Sequence, residues 1–296
     1  MILDRQLLTA WMDRRQFAPA TCKTYGSVIE ALAVWLAGCE RGFNDCDPKL
    51  LLSFFQSRDV SSSTQKRYLK FLADFFDFLV EEGAITKNRI RQQLLQERIP
   101  RKAYGSDVAT GTLPIFLSDK EISQLCNSFP SSPEDIGDIR RKALILFLLG
   151  CGPRNAEAAN IEWKDLDLSL NHPQARLVSH GGLERLVPVP REAADALRHL
   201  KQVIGSPQQA AAGLTGKVFV KGRSKAHYTP SGLWRLVHSA LTRAGIVKPT
   251  LSPHVLRNSY AVHQLAQGMD LATLKQRMGH KKITTTAVYV RVKAIR

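Results

Sequence analysis

Five residues in the second half of the chain carry cationic, imidazole or phenolic groups at distinctive spacings. Arg154 directly follows the stretch LLGCGP. His254 and Arg257 are three residues apart, which places both on one face of a helix. His280 lies in GHKK, 23 residues after Arg257, and Tyr289 follows nine residues later. Each group alone is common at a surface, a helix end or in a core, so only the combination supports a prediction.

These five side chains match the chemistry of cleavage at a phosphodiester. Two arginines can bind its non-bridging oxygens and neutralise the charge that develops in the transition state. Histidines can accept or donate a proton at the attacking or leaving oxygen. A tyrosine can attack phosphorus and conserve the energy of the bond as a phosphotyrosyl ester. No carboxylate cluster in the sequence suits Mg²⁺, so we expect no metal or cofactor and assign charge stabilisation to the arginines.

Composition restricts the partner and the compartment. The 296-residue chain has a formal net charge of +16, and this excess of cations predicts a polyanionic partner. A membrane surface is the alternative, but no basic amphipathic stretch adjoins an apolar anchor, which favours nucleic acid. Five scattered cysteines without a CxxC pair argue against a zinc site or disulfide framework. Without a signal peptide or an apolar run of the ~20 residues that a membrane span needs, we expect a soluble cytoplasmic protein.

Helical periodicity dominates the first hundred residues. Helices are predicted at 3–15, 19–38, 47–57 and 62–83. The aromatic residues of the last helix share its apolar stripe, which predicts a core position rather than a base-stacking role. Lys66, Arg67 and Lys70 near the start of that helix are candidates for contact with DNA phosphates, with a solvated face as the alternative.

A segment without periodicity separates this region from the rest. Residues 97–114 are rich in Gly, Ser, Thr and basic side chains, which is typical of a linker. Arg101 and Lys102 within it are further candidates for DNA contact. A flexible basic strap of this kind would let two domains close around a long anionic molecule. The predicted organisation is a helical domain at 1–97, a linker at 98–114 and a second domain at 115–296.

The second region combines helices with a small antiparallel sheet. Ser118 and Glu121 form a capping box that starts a helix. Strand patterns between 166 and 190 flank a Gly-Gly turn at 181–182, which predicts a hairpin. A further short strand is predicted at 218–220. Additional helices are predicted at 191–203, 230–245, 253–267 and 270–278, with a short one around Tyr289. The predicted fold class is mainly α, with a helical N-terminal bundle and a mixed α+β C-terminal domain.

The motifs resemble those of the tyrosine recombinases, the integrase family, and the layout is most similar to its Xer-type and phage or transposon members. The resemblance covers essentially the whole chain, and TQKRYLKFLADFFDFLVEEGAITKN is similar to the last long helix of the family's SAM-like core-binding domain. It implies that Arg154 and Arg257 hold the scissile phosphate, that His254 and His280 position and shuttle protons, and that Tyr289 is the nucleophile.

The same resemblance implies the reaction and the partners. DNA strands would be cleaved and rejoined through a covalent 3′-phosphotyrosyl intermediate, without ATP. Four subunits would work on two double-stranded DNA sites, each subunit forming a C-shaped clamp around the duplex. Glu157 matches the acidic residue that commonly follows the first arginine. Integration, excision, inversion and dimer resolution all stay open as biological tasks, in a mobile element or a chromosome.

Two positions depart from the family pattern. Family members usually carry a catalytic lysine in the hairpin, whereas this chain has SHGGLERLVPVP and no lysine between Asp165 and Pro190. The hypothesis is that His180 replaces that lysine as the acid for the leaving 5′ oxygen, since its reference pKa of ~6.5 suits that role near neutrality. The alternatives are a minor-groove contact or a slowed enzyme. The second departure is the tail, because only VRVKAIR follows Tyr289, where many relatives continue with a helix that docks on a neighbouring subunit.

Two rival functions share parts of this pattern. A type IB topoisomerase has the same chemistry but relaxes supercoils as a monomer, and the Xer-like first region argues against it. A DNA-binding accessory protein that has lost cleavage is the other rival. The missing lysine is its support, and the intact set of arginines, histidines and tyrosine argues against it.

Overall fold

Hydrophobic side chains gather in separate cores for the two parts of the chain. The structure, a computed structural model, describes residues 4–60, 62–91, 113–130, 135–179, 182–204, 216–221 and 227–293. The chain divides into two compact units, Met1–Gly111 and Thr112–Arg296. The second unit contains one large core and a smaller hydrophobic cluster around the C-terminal helices.

Besides a short 3₁₀ helix at Phe43–Asp45, four α-helices of the first unit have both ends among the described residues. They are α1 (Arg5–Arg15), α2 (Pro19–Gly38), α3 (Pro48–Ser57) and α4 (Ser62–Glu81). Side-chain caps fix two of their starts, because Asp4 accepts a hydrogen bond from the Gln6 amide and Asp47 accepts one from the Leu50 amide, each at 2.8 Å. Phe75 of α4 is fully buried in an aromatic core, as predicted for that helix.

Eight α-helices, a short 3₁₀ helix at Trp163–Asp165 and three strands make up the described part of the second unit. The helices are α5 (Asp119–Asn127), α6 (Ile136–Cys151), α7 (Asn155–Asn160), α8 (Arg191–Ile204), α9 (Pro230–Arg243), α10 (Pro253–Ala266), α11 (Leu271–Met278) and α12 (Ile283–Lys293). The predicted capping box starts α5, since the Ser118 hydroxyl accepts from the Glu121 amide at 3.3 Å and the Glu121 carboxylate accepts from the Ser118 amide at 2.8 Å. Ser252 occupies the N-cap of α10, but its side chain makes no capping hydrogen bond.

The sheet is antiparallel and has the strand order β1-β2-β3. Its strands are β1 (Leu166–Asp167), β2 (Gln174–Val178) and β3 (Glu184–Pro188), and the hairpin register pairs Ala175 with Val187. The two-residue β1 was not predicted, because so short a strand shows no alternation. The predicted strand at 218–220 is wrong. Val218 and Phe219 are buried in the core, and the segment contributes an isolated bridge from Val220 to His227 instead of a strand.

Helix α6 must end sharply so that Arg154 can begin α7. Gly152 caps α6 in the left-handed conformation with φ +58°, and its amide donates to the Leu148 carbonyl at 3.1 Å. A Cβ atom at this position would lie 2.3 Å from the Tyr260 ring. Glycine is therefore required here both by the backbone conformation and by the close approach of α10.

Among the described helices, none combines the length and the apolar character that crossing a lipid bilayer requires. The five cysteines are free thiols, of which Cys46 and Cys151 are buried.

Replacing Gly152 by Ala should strongly destabilise the second unit. The new methyl group would face both an unfavourable φ and the Tyr260 ring, and the two effects together amount to about 2–5 kcal/mol. Gly268→Ala is the matched control, since Gly268 has φ +93° with open space around it and should lose only about 1–2 kcal/mol. Urea unfolding followed by circular dichroism measures both, and equal losses for the two variants would contradict the steric argument.

Candidate active site

The Glu157 carboxylate binds Arg154, Arg185 and Ser179 through hydrogen bonds. Its side chain is 2% exposed and accepts five hydrogen bonds. Arg154 donates its main-chain amide at 2.7 Å and Nη1 at 2.8 Å, Arg185 donates Nη1 at 2.9 Å and Nη2 at 2.7 Å, and Ser179 donates its hydroxyl at 2.8 Å. Glu157 thus joins the start of α7 to β3 and to the residue that directly follows β2.

The charge state of Glu157 follows from these contacts. Burial by itself raises the pKa of this carboxyl, but the hydrogen bonds from Arg185 and from the Arg154 amide lower the pKa to about 2. Because the folded-state value lies below that of a free glutamate, the carboxylate stabilises the fold above pH 4.5 and this contribution is lost as the pH falls toward 2. Glu157 is therefore a permanent anion between two guanidinium groups at neutral pH.

The C-terminal end of α11 holds three arginines by consecutive carbonyl oxygens. The pairs are Arg185 Nε to the Arg277 oxygen at 2.7 Å, Arg257 Nη2 to the Met278 oxygen at 2.6 Å, and Arg154 Nη2 to the Gly279 oxygen at 2.6 Å. The last carbonyls of a helix lack intrahelical donors and carry its negative dipole end, so guanidinium groups suit them both as donors and as charges. A Cβ atom at Gly279, whose φ is +63°, would lie 2.9 Å from Arg185 Nη1. This helix end therefore positions the two predicted phosphate-binding arginines together with Arg185.

Among the predicted site residues that the structure describes, Arg257 is the most deeply buried, with 3% exposure. Its Nη1 also donates to the Gly152 carbonyl at 2.6 Å, so it bridges the ends of α6 and α11. Burial and the nearby Arg154 charge lower the pKa of Arg257 to about 10, so it stays protonated at neutral pH. Arg154 by contrast leaves 40% of its side chain exposed, which gives solvent and ligands access to this guanidinium.

His280 is in its neutral form, with the proton on Nδ1. Arg257 Nη2 can only donate, so the His280 Nε2 atom, 3.1 Å away, must accept. The protonated Nδ1 then donates to the Thr286 hydroxyl oxygen at 3.0 Å. Burial and the charges of Arg257 and Arg154 lower the pKa of His280 to about 4, in agreement with this tautomer.

Tyr289 lies beside this group but points its hydroxyl elsewhere. Its residue exposure is 5%, and it belongs to a hydrophobic cluster formed by α10, α11 and α12. The hydroxyl donates to the Asn258 side-chain oxygen at 2.9 Å. The phenol ring is nearly parallel to the His280 ring, at 12° and 6.4 Å between centroids. Burial raises the pKa of Tyr289, an effect partly offset by Arg257, so this is a protonated and packed form of the side chain.

His254 is an exposed residue in the otherwise buried first turn of α10, and it makes no hydrogen bond within the described part of the chain. Partial burial of the imidazole and the nearby Arg257 charge lower the pKa of His254. His254 and Arg257 lie on the same helix as the spacing predicted, but the first is exposed and the second is buried.

The structure describes only some of the other predicted site residues. His180, Arg101 and Lys102 lie outside the described residues, although Ser179, directly before His180, belongs to the Glu157 network. Lys66, Arg67 and Lys70 are exposed on α4, and Arg67 lies over the Tyr68 ring at 5.3 Å.

Sequence reasoning missed two residues in this region, Arg185 and Asn258. The strand alternation of β3 places Arg185 on the same face as the buried Val187, while Leu186 between them is exposed, so a charged residue on the apolar face was a readable signal. Asn258 lies in a stretch of α10, 255–262, in which every residue is buried. A polar residue in such a stretch needs a hydrogen-bond partner, but the sequence does not say which.

Comparisons with known proteins identify the family and agree with the fold. The family model described as "Phage integrase family" matches residues 116–296. A tyrosine recombinase of Thermosipho africanus is 27% identical over 284 residues, covering 94% of this chain and 90% of the relative. The XerH site-specific recombinase bound to palindromic difH substrate in a post-cleavage complex has a TM-score of 0.74 at 18% identity, covering 99% of this chain and 82% of that one. A lambda integrase tetramer bound to a Holliday junction has a TM-score of 0.68 at 16% identity, covering 95% of this chain and 78% of that one. At these identities the two structures bear on the fold alone.

The family match spans more than half of the chain, and it includes Arg154, Arg257 and Tyr289. The chain therefore belongs to the phage integrase family, the tyrosine recombinases.

Proposed function

We propose that this site-specific recombinase cleaves and rejoins DNA with Tyr289 as the nucleophile and Arg154 and Arg257 as the phosphate ligands. The phenol oxygen would bond to phosphorus as the bond to the 5′ oxygen breaks, which leaves a 3′-phosphotyrosyl ester. The observation that carries the proposal is the convergence of three arginines on the end of α11, with the His280 ring between Arg257 and the Tyr289 ring.

The arrangement of the arginines suits a phosphate in the transition state. Arg257 is held by two main-chain carbonyls, so its guanidinium does not have to be ordered when the substrate binds. Arg154 is oriented by Glu157 but keeps an exposed side chain that can meet an incoming phosphate. A preorganised pair of this kind binds charge as it develops and requires little rearrangement.

The proton transfers divide between separate groups. Partial burial and the Arg257 charge lower the pKa of His254, so at neutral pH it is a base that can accept the phenol proton. His280 is neutral and accepts a hydrogen bond from Arg257, which suits a positioning role beside the phosphate. His180 is proposed to donate the proton to the leaving 5′ oxygen.

Tyr289 has to leave its observed position before it can attack. Its hydroxyl bonds Asn258, and a phenol that donates to an amide oxygen is still protonated. Its ring lies against His280, which itself contacts Arg257, so the phenol is separated from one guanidinium by a single side chain. A side-chain rotation combined with movement of the short helix α12 is the expected route.

Partners and organisation follow from the relatives and from charge. The XerH and lambda integrase structures hold a difH substrate and a Holliday junction, the latter with a tetramer. We propose for this chain a double-stranded DNA site, four subunits on two sites, and action in the cytoplasm. The net charge of +16 supports salt-sensitive binding through phosphate contacts.

Residues 1–97 are proposed as a core-binding domain, 98–114 as a linker and 115–296 as the catalytic domain. The proposed phosphate contacts outside the catalytic site are Lys66, Arg67, Lys70, Arg101 and Lys102.

Tyr289→Phe should abolish the covalent complex on a nicked suicide substrate that carries the site found by footprinting. Without the hydroxyl no phosphotyrosyl ester can form, so the yield should fall about 10³-fold or more while DNA binding persists. Tyr260→Phe is the matched control, because Tyr260 is buried in the same cluster and should remain active. Denaturing gel electrophoresis measures the complex, and a gel shift measures binding.

Two results would overturn the assignment. A covalent complex that survives Tyr289→Phe would exclude this nucleophile. Binding by the wild-type chain with no covalent complex would indicate an accessory protein. Relaxation of plasmids without the site, by contrast, would indicate a topoisomerase.

Arg185→Ala should slow cleavage about 10²-fold with little effect on DNA binding. Arg185 holds the Glu157 carboxylate that orients Arg154, and displacement of a catalytic group by about 1 Å costs a factor of this size. Arg185→Lys should be intermediate, because lysine keeps the charge but loses the bidentate geometry. Arg176→Ala is the control on the same hairpin, since Arg176 pairs with the exposed Glu184 and with Asp165 away from this network. Equal cleavage rates for the Arg185 and Arg176 variants would contradict the positioning role.

His180→Ala should slow cleavage about 10²-fold, and His180→Lys should restore it at high pH. If His180 is the acid, the wild-type rate should fall up to tenfold per pH unit above about 6.5, whereas lysine stays protonated to about pH 10. A substrate with sulphur in place of the leaving 5′ oxygen needs no proton and should rescue the Ala variant. His172→Ala, in the segment before β2, is the control. A flat profile from pH 6 to 8.5 together with full activity of His180→Ala would eliminate this role.

A further inference from the structure

The side-chain amide of Asn258 makes two hydrogen bonds, one to the proposed nucleophile Tyr289 and one to the main chain at Ile115. Its side-chain Nδ2 donates to the Ile115 carbonyl at 2.9 Å, and its Oδ1 accepts from the Tyr289 hydroxyl at 2.9 Å. The residue is 5% exposed and directly follows Arg257 on α10. One buried side chain thus links the site of the proposed phosphate ligands, the tyrosine and residue 115.

The donors and acceptors fix the direction of this amide. The Ile115 carbonyl can only accept, so the amide NH₂ must face it, and Oδ1 is left to face Tyr289. An oxygen acceptor favours the protonated phenol over the phenolate, which has no proton to donate. The contact with Ile115 therefore keeps Asn258 in the orientation that binds Tyr289 in its unreactive form.

The segment Ile115–Leu117, called the leading segment below, is bound by α10 through side chains. Besides the Asn258 contact, the Ser259 hydroxyl accepts from the Leu117 amide at 2.8 Å, and His263 Nε2 lies 2.9 Å from the Leu117 carbonyl oxygen. The intervening Phe116 packs against the cluster that contains Tyr289. The leading segment lies near the start of the second unit, where the chain arrives from the first.

We propose that Asn258 is a positioning residue that stores Tyr289 away from the phosphate-binding arginines, and that the leading segment controls how firmly it does so. The proposal rests on the assignment of Tyr289 as the nucleophile. A shift of the leading segment that removes the Ile115 carbonyl would free the amide to turn. Asn258 would then no longer present its oxygen to Tyr289, and the phenol could leave for the phosphate. A movement of the leading segment would thereby decide whether Tyr289 is free to reach the phosphate.

Two substitutions separate the two hydrogen bonds of Asn258. Asn258→Leu has a similar shape and loses both, so Tyr289 should be released. Asn258→Asp loses the bond to Ile115 but keeps an acceptor for the Tyr289 hydroxyl, and a charged acceptor binds more strongly. Ser259→Ala weakens the hold on Leu117 and leaves the Tyr289 bond in place. Gln264→Ala is the matched control on the same helix, because the Gln264 side chain bonds Gln267 and neither Tyr289 nor the leading segment.

The measurement is nitration of Tyr289 by tetranitromethane in the full-length, DNA-free protein, followed by peptide mass spectrometry. We expect Asn258→Leu to react about 5- to 10-fold faster than wild type, the size of effect expected for one buried hydrogen bond. Ser259→Ala should react about 2- to 3-fold faster, and Asn258→Asp and Gln264→Ala at the wild-type rate. Tyr260, 4% exposed in the same cluster, is the internal reference, because general unfolding would expose both rings.

Cleavage of the suicide substrate is the second readout. Faster covalent trapping by Asn258→Leu than by wild type supports storage of the nucleophile. Unchanged nitration of Tyr289 in Asn258→Leu would overturn the proposal, and so would parallel increases at Tyr289 and Tyr260. Either result could occur while wild-type cleavage still depends on Tyr289, in which case the proposed function stands. A wild-type protein that never forms the covalent complex would instead refute the proposed function.

Discussion

The end of helix α11 is the constraint on which the rest of the site depends. Its carbonyls at 277, 278 and 279 face outward without intrahelical donors, and each is satisfied by an arginine from a different element. Cations collected at one helix end would repel each other if nothing compensated them. The helix dipole and the buried Glu157 carboxylate supply that compensation, which is why three guanidinium groups can share so small a volume and remain charged.

The three arginines and Tyr289, the proposed nucleophile, are held by different kinds of contact. Arginine side chains are fixed by main-chain carbonyls and a carboxylate, so they are in place before any substrate arrives. Tyr289 is held by one amide oxygen and by packing in a hydrophobic cluster, without an ion pair. For the proposed reaction, preformed phosphate ligands with the phenol held apart from them would keep an unassembled subunit from cleaving the DNA that it binds.

Much of the fold was readable from the sequence, because its helices carry strong apolar periodicity and explicit caps such as Ser118 with Glu121. Segments without periodicity were not, as the two-residue β1 and the wrong strand at 218–220 demonstrate. Arg154, Arg257 and His280 were found from type and spacing, and the structure joins them through hydrogen bonds or shared partners. The role of Asn258 depends on a contact with a residue 143 positions earlier, and no local pattern encodes such a contact.

Arg257 also acts as a structural strut, because it ties the terminus of α6, at Gly152, to that of α11, at Met278. A descendant that abandoned catalysis would still need this strut to keep the two helix ends together. Such a protein would keep Arg257 because the fold needs it, whereas selection to keep the Tyr289 hydroxyl would be much weaker. Among diverged members of such a lineage, the arginine is consequently a poor diagnostic of an active enzyme, and the tyrosine is the informative one.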